Sequence, residues 1–510
     1  QAGATLAYDA SRRSYVPERL PPGVRVAGGY ATATPELPVK AADESAKQFV
    51  CFCEDVTTKD VAASCAEGFD SLELSKRYTT VTMGPCQGRM CHRNSALVLA
   101  DELGVAPDAQ TIGMTTARPP HSPTRFGLLA GRGWHPVKRT PLHDWNAAGG
   151  GAMAWAGDWM RAYDYGDPEA EVAAVHESLG LIDVSPLGKL IVRGPDAAEL
   201  LERIYPNRYA NLGEGRVRYG VVCGEDGAIL DDGTVARLDD ETFYVTTTSS
   251  GSAGMEEWFT WWNAVWDLDV EITNVTPALG AINLAGPDSR AALATLTDLD
   301  VSNDAFPYLG ARNALVAGVP SLILRIGFVG ELGYEIHHPA AASIALWERL
   351  LEAGGKQGVR PFGLEPQRRL RLEKLHVIVG QDTDAESNPL EAAMPWIVKL
   401  DKEQDFIGRR ALQQVGDRGD REVLVGWTGL NGAVPAEGAQ VVGAGGEPAG
   451  RVTSARFSPR LGRAIGMAWV PADASQDGTA LQLSQADGST IPASVTHQAF
   501  HDPDGELLRS

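Results

Sequence analysis

Four cysteines in the first hundred residues constrain this chain most. They read Cys51-Phe-Cys53 and, after thirty-two further residues, Cys86-Gln-Gly-Arg-Met-Cys91. Thiolates held in pairs on two separate loops are what a [2Fe–2S] cluster needs, because each iron takes two cysteine sulfurs. Zinc is the other candidate, but structural zinc favours C-x2-C knuckles over C-x-C. The spacing therefore favours the cluster. Such a cluster needs no open coordination position, so its role would be electron relay. The two remaining cysteines read as small core hydrophobes: Cys65 on a helix ended by Gly68, Cys223 in an apolar strand before a Gly-Glu-Asp-Gly turn.

Length and charge set outer bounds. A chain of 510 residues, 44% hydrophobic and 22% charged, has room for two to four soluble domains. No run of about eighteen apolar residues is present, so no membrane-spanning helix is expected. No segment reads as a secretory leader, so a cytoplasmic location is expected. The first residue is not Met, so residue 1 is expected to lie inside a longer sequence or just after a processing site. A net charge of −21 argues against broad nucleic-acid binding. An acidic ligand would need a local basic patch, for which Arg368, Arg369 and Arg371 are candidates.

Residues 1–45 read as a turn from Pro17, a short strand and a Gly-Gly turn, with no Gly-x-Gly-x-x-Gly fingerprint for a dinucleotide. Residues 46–112 read as a small helical unit. Helical periodicity covers 60–67 and 94–103, Thr57 to Asp60 is a helix start, and Gly84-Pro85 is a turn presenting Cys86. The amides opening the next helix would face the sulfurs. Residues 113–138, rich in Pro, Gly, Arg and His, read as an extended surface linker. Residues 139–421 alternate strands and helices. A strand, Gly-Pro-Asp and an apolar-faced helix occur twice, over 190–204 and 281–293, which implies two related α+β halves. Residues 422–510 are short strands with Gly-rich turns, read as a small β-barrel or meander.

Two stretches of the larger part carry candidate site residues. Gly227-Ala-Ile-Leu-Asp231-Asp232 places two carboxylates side by side. Adjacent strand residues face opposite ways, so only one can enter a given pocket; alone, the pair reads equally as a solvated turn before Gly233. Glu335 lies between Tyr334 and Ile336, where burial is costly without a partner. A ring offering two N–H donors would satisfy it, as a pterin does. A rim-exposed Glu on a strand's outer face is the alternative.

These stretches resemble the aminomethyltransferase (T-protein) of the glycine cleavage system over residues 139–510. Matching stretches include Gly180-Leu-Ile-Asp-Val-Ser185, Gly227-Ala-Ile-Leu-Asp-Asp232, Gly330-Glu-Leu-Gly-Tyr-Glu335, Leu370-Arg-Leu-Glu373, Asp405-Phe-Ile-Gly-Arg-Arg-Ala-Leu412 and Thr453-Ser-Ala-Arg-Phe-Ser-Pro-Arg-Leu-Gly462. The resemblance implies an α+β T-protein-like folate-binding fold with a C-terminal β-barrel. It implies that Asp232 contacts the reactive side of tetrahydrofolate and is the catalytic carboxylate, that Tyr219 is a folate contact, and that Glu335 pairs with the pterin. Phe328 stands where the family often has a tyrosine. Gln367 stands where the family has a pterin-contacting arginine.

The four-cysteine unit resembles the bacterioferritin-associated-ferredoxin-like [2Fe–2S] domain, and residues 1–45 resemble the tail of a pyridine-nucleotide-disulfide-oxidoreductase-like dinucleotide domain. Arg139-Thr-Pro-Leu-His-Asp-Trp145 and Met394-Pro-Trp-Ile-Val-Lys-Leu-Asp401 are similar to the α subunit of heterotetrameric sarcosine oxidase, whose middle domain often lacks these cysteines. Cluster-bearing relatives resemble amine dehydrogenases or opine-type oxidoreductases. The combined resemblance implies the C-terminal part of an α subunit of a sarcosine-oxidase-like N-demethylase. Partners would be a flavin-containing catalytic subunit and small subunits. FAD or FMN, and possibly NAD, would sit in partner chains or in a missing N-terminal region. The alternatives are a non-catalytic assembly and electron-transfer subunit with a degenerate folate site, and a true aminomethyltransferase, for which the cysteine unit would have no use.

Overall fold

Thr57 starts the first helix of the small unit: its side chain accepts from the Asp60 N–H while the Asp60 carboxylate accepts from the Thr57 N–H. This reciprocal cap satisfies donors that a helix start otherwise leaves open. The computed structural model describes residues 5–9, 14–20, 47–107, 110–118, 137–415, 421–443 and 445–510. The chain forms two units, residues 1–135 and 136–510.

In the first unit, β1 (Thr5–Asp9) pairs antiparallel with β2 (Ser14–Arg19). The turn expected from Pro17 is the end of β2 instead. The strand and Gly-Gly turn expected after it lie outside the described residues. β3 (Phe49–Cys51) pairs with β4 (Val56–Thr57), and helices α1 (Thr58–Ala66), α2 (Leu72–Thr79) and α3 (His92–Leu103) follow. Their core joins Val50, Val61, Leu72, Val81, Val98 and Leu99 with the buried Cys51 and Cys91. Lys76 of α2 is buried and bonds Glu73 and the Thr116 carbonyl, so residues near 116 pack on the unit. Most of the expected linker, 119–136, lies outside the described residues.

The second unit opens on a small sheet of β5 (Lys138–Arg139), β6 (Met153–Ala156) and β7 (Trp159–Ala162), with α4 (His143–Ala148) between β5 and β6. After α5 (Pro168–Glu177) and β8 (Gly180–Asp183) come two halves of matching layout. The first runs β9 (Gly188–Arg193), α6 (Ala197–Ile204), β10 (Val217–Cys223), β11 (Ile229–Arg237), β12 (Thr242–Thr247), α7 (Ser252–Trp266) and β13 (Glu271–Asn274). The second runs β14 (Leu279–Ala285), α8 (Ser289–Ala294), β15 (Ala311–Val316), β16 (Val319–Leu324), β17 (Gly333–Pro339), α9 (Ser343–Ala353) and β18 (Arg360–Pro361). The sheets are ordered β10-β11-β12-β9-β13 and β15-β16-β17-β14-β8-β18. In each half a three-strand meander lies beside the strand that opened it.

The repeated Gly-Pro-Asp is a tight strand-to-helix turn. Gly194 and Gly286 adopt φ of 146° and 129°. A Cβ there would stand 2.2 Å from the Asp269 carbonyl oxygen and 2.5 Å from that of Ser178, so only glycine fits. Each sheet buries one face against its own helices: Leu190, Val192, Phe243 and Val245 against Leu200 and Ile204, and Ile282, Leu284 and Ile336 against Leu346, Trp347 and Leu350. Each such side chain contributes about 1.5–3 kcal/mol. The sheets meet through Val217, Ala236 and Tyr244 on one side and Ala311 and Leu324 on the other.

Helix α10 (Leu364–Glu373) leads by irregular segments to α11 (Arg409–Gln414) and then to a closed barrel. Around it run β19 (Glu422–Gly429), β22 (Arg463–Pro471), β21 (Pro448–Ser458), β20 (Gln440–Val442), β23 (Ala480–Ser484) and β24 (Thr490–Thr496). Closure removes exposed strand edges. No helix among the described residues is long and apolar enough to cross a membrane.

Candidate functional site

β10 and β11 form a hairpin in which Tyr219 faces Thr234 and Val221 faces Asp232. Tyr219 and Asp232 are thus diagonal neighbours on one sheet face, within reach of a tyrosine side chain. The Tyr219 hydroxyl donates to Asp232 Oδ2 at 2.8 Å. Met394 Sδ lies 3.7 Å from the same hydroxyl, and the Trp396 ring lies 6.1 Å from the Tyr219 ring. Asp231 points to the other face, is buried, and accepts from the Thr248 N–H at 3.3 Å. The pair is therefore strand interior and not a solvated turn. Gly233 explains why: a Cβ there would come within 1.9 Å of the Thr246 carbonyl oxygen, so β11 and β12 press together.

Burial, with Asp231 nearby, pushes Asp232 up to about 7, against the pull of the Tyr219 hydrogen bond. Burial likewise pushes Asp231 up to about 6. Burial and then Asp232 hold the Tyr219 phenol well above its ordinary value, so it stays a donor. A carboxylate balanced near neutrality, with one oxygen fixed by a phenol, can accept a proton or stabilise a positive charge that develops beside it.

Glu335 lies on β17 opposite Asn283 of β14. It is buried, not rim-exposed, and its Oε1 lies 2.8 Å from His337 Nε2. Phe328 is exposed in the segment before β17, stacked on His376 at 5.7 Å between ring centres. Gln367 is half-buried on α10, and its side chain makes no hydrogen bond to another described residue. Among the described residues, no hydrogen bond or ring contact links Phe328 or Gln367 to the Tyr219–Asp232 pair.

The arginines expected as a basic patch are mostly committed elsewhere. Arg371 is buried, 2.6 Å from Asp382 Oδ2, and also donates to Ser454 Oγ of the barrel. Arg369 pairs with Glu365 one turn away. Only Arg368 has no ion pair among the described residues. The barrel stretch from Thr453 docks on α10 as well: Arg456 Nε lies 2.9 Å from Glu365, and Ser458 donates to Glu373 at 2.6 Å. Leu370-Arg-Leu-Glu373 and Thr453 to Gly462 are thus two sides of one interface.

In the small unit the two cysteine loops converge. The Cys53 thiol neighbours that of Cys86, and the Cys51 thiol that of Cys91, closely enough for the neighbour to help shift the titration of Cys53 and of Cys91. Each pair takes one thiol from each loop. Gly84 makes this possible, since a Cβ there would stand 2.5 Å from the Cys53 Cβ. The Met90 N–H, joined by those of Gly88 and Arg89, pulls the Cys86 thiol below its ordinary value. These amides come from the 86–91 turn, while α3 begins at His92 with Cys91 as its cap, so the helix start is not their source. Burial first, then Cys51, pushes Cys91 up to about 12. Two thiol pairs backed by amides fit a cluster with two thiolates per iron. Cys223 is buried and Cys65 half-buried, each packed in a core.

The model of the GCVT N-terminal domain matches residues 142–402, and that of the glycine cleavage T-protein C-terminal barrel domain matches 423–502. An aminomethyltransferase of Symbiobacterium thermophilum is 36% identical over 72% of this chain and 97% of its own length. This chain belongs to the aminomethyltransferase family. The aminomethyltransferase T of the glycine cleavage system from Bartonella henselae superposes with a TM-score of 0.66 at 25% identity, over 72% of this chain and 99% of that one. Beyond the family core, the model of the sarcosine oxidase A3 domain matches residues 45–132. A sarcosine oxidase α subunit of Corynebacterium sp. (strain P-1) is 37% identical over 99% of this chain and 54% of its own length. The chain spans about half the length of the sarcosine oxidase α subunits it matches, and its domain order is that of a sarcosine-oxidase-α-like architecture.

Residues that sequence reasoning did not single out for the site are Met394, Trp396, His337 and Tyr244. The first two stood in a quoted stretch but sit far from Tyr219 in the chain. A histidine two places after Glu335 was a readable signal, because residues i and i+2 share a strand face.

Proposed function

We propose that this chain is the one-carbon-transfer part of a flavin-dependent N-methyl amine oxidase or dehydrogenase of the sarcosine oxidase type. In this reading residues 139–421 are the folate-binding domain, 422–510 the barrel, 46–112 a [2Fe–2S] domain, 113–138 a linker and 1–45 the tail of a dinucleotide-type domain. A flavin subunit and small subunits complete a hetero-oligomer. The cytoplasm is the compartment proposed; six cysteines without a disulfide suit a reducing environment.

The observation that carries the folate reading is Asp232, deep in a T-protein-like fold and fixed by Tyr219 at 2.8 Å. Amine oxidation in the partner would supply an iminium carbon or formaldehyde. Tetrahydrofolate joins that carbon through N5 and N10 to give 5,10-methylenetetrahydrofolate, releasing the demethylated amine and a proton from the iminium, or one water from formaldehyde. Asp232, as the carboxylate, stabilises positive charge at the folate nitrogens and takes a proton from them. Tyr219 fixes its orientation, and Glu335 orients the pterin, supplying proximity more than chemistry. Cys51, Cys53, Cys86 and Cys91 would hold the cluster, which supplies one-electron relay between a flavin and its acceptor.

Gln367 in place of an arginine favours a second reading, an assembly and electron-transfer subunit that has lost its folate. Anaerobic titration with tetrahydrofolate separates the two: saturable binding, weakened in Asp232→Asn, supports transfer, and no binding leaves the second reading. Iron and sulfide analysis of anaerobically purified protein tests the cluster. Stoichiometric zinc in a colourless preparation would remove the electron relay.

A further inference from the structure

Glu335 does not stand alone. Its Oε1 lies 2.8 Å from His337 Nε2, and His337 Nδ1 lies 2.9 Å from the Tyr244 hydroxyl. Glu335 and His337 share one face of β17, while Tyr244 reaches in from β12 of the other sheet. All three are buried. A carboxylate only accepts, so His337 Nε2 carries a proton; a neutral ring then accepts at Nδ1 from the phenol. Burial holds His337 below its ordinary value, against the pull of Glu335, which keeps the ring neutral.

Lys189 of β9, also buried, lies within electrostatic reach of Glu335 and Asp183, and its Nζ donates to the Ser185 and Leu187 carbonyls at 2.9 and 2.7 Å. Those bonds fix the ammonium in place. Glu335 Oε2 has no hydrogen bond to another described residue. Each carboxylate oxygen has two acceptor sites, so Oε1 can keep His337 and still face a ligand.

We propose that His337 and Tyr244 are positioning residues for the pterin site: together they fix one rotamer of Glu335, so that its carboxylate edge is preorganised for a ring carrying two adjacent N–H donors. This inference rests on the folate reading above. It adds a link between the sheets, since the tyrosine that orients the histidine belongs to the hairpin sheet carrying Asp232.

The test is a double-mutant cycle in the full chain with its accompanying subunits, read as the Kd for tetrahydrofolate under anaerobic conditions. His337→Leu is expected to weaken binding about tenfold and Tyr244→Phe about threefold, the range for losing a bond to a charged and to a neutral partner. His337→Gln, which keeps an N–H near the Nε2 position, is expected to recover most of the loss. In a Glu335→Gln background both effects should shrink below about twofold, because the relay then has no carboxylate to orient. Undiminished losses in that background, or an unchanged Kd for Tyr244→Phe, would overturn the proposal while leaving folate binding intact. Tyr244→Phe removes one oxygen, so it decides the matter even if His337→Leu fails to fold. A wild-type protein that does not bind tetrahydrofolate would remove the folate reading and this proposal together.

Discussion

The Tyr219 hydroxyl sits 2.8 Å from Asp232 Oδ2, on neighbouring strands of one hairpin. The bond fixes one carboxylate oxygen and lowers the affinity of Asp232 for a proton, while burial and Asp231 raise it. Burial wins, and the group balances near 7. A carboxylate so placed can change protonation during a reaction at neutral pH.

One-carbon transfer is expected to rise with pH to a plateau above about 7, because the role proposed for Asp232 requires its ionised form. Tyr219→Phe removes the bond that lowers this value, so the midpoint should move upward. A pH–rate profile under single-turnover conditions checks both. A midpoint unmoved in the variant would detach Tyr219 from Asp232.

Stability should carry the same signature with a definite sign. Asp231 and Asp232 bind protons more tightly folded, at about 6 and about 7, than unfolded, at about 3.9. The unfolded state therefore holds fewer protons in that window, and stability falls as pH rises from about 4 to about 7. Asp232→Asn should be more stable than wild type at pH 8, with the advantage gone near pH 4. Denaturant unfolding at several pH values measures this.

The Arg371–Asp382 pair ties α10 to the segment that leads to the barrel, and Ser454 joins it from β21. Removing one partner leaves a buried charge without compensation, at a cost of about 3–5 kcal/mol. Asp382→Ala should lower the unfolding midpoint accordingly. A change below about 1 kcal/mol would mean that the site admits water or repacks.

Under the proposed cluster reading, Gly84→Ala is expected to cost the four cysteines their iron without unfolding the small unit. The new Cβ would sit 2.5 Å from the Cys53 Cβ and force the loops apart. Iron per chain should fall while far-ultraviolet circular dichroism is kept. Full iron occupancy in the variant would show that the loops need not approach so closely.

Local patterns made part of this readable in the chain. The Thr57 cap, the two Gly-Pro-Asp turns, the apolar strand holding Cys223 and the short strands after 422 follow from short-range rules on caps, turns and alternation, whereas the closure of those strands rests on β19 pairing with the distant β24. Helix α2 went unread; its Ser71 cap is local, but its buried Lys76 needs Glu73 and the distant Thr116 carbonyl. Arg371 looked available as a basic residue because burial by Asp382 and Ser454 depends on contacts 11 and 83 residues away. That only one member of Asp231-Asp232 could share a pocket was legible from strand alternation. Which strands pressed on Gly233, making the pair interior, was not.

The most direct test follows the carbon. The assembled complex would be given one turnover of an N-methyl amine with tetrahydrofolate, and the products of wild type and Asp232→Asn would be quantified. Expected is 5,10-methylenetetrahydrofolate matching the amine oxidised in wild type, and free formaldehyde with little methylene product in the variant. Equal methylene product from both proteins would contradict the role given to Asp232.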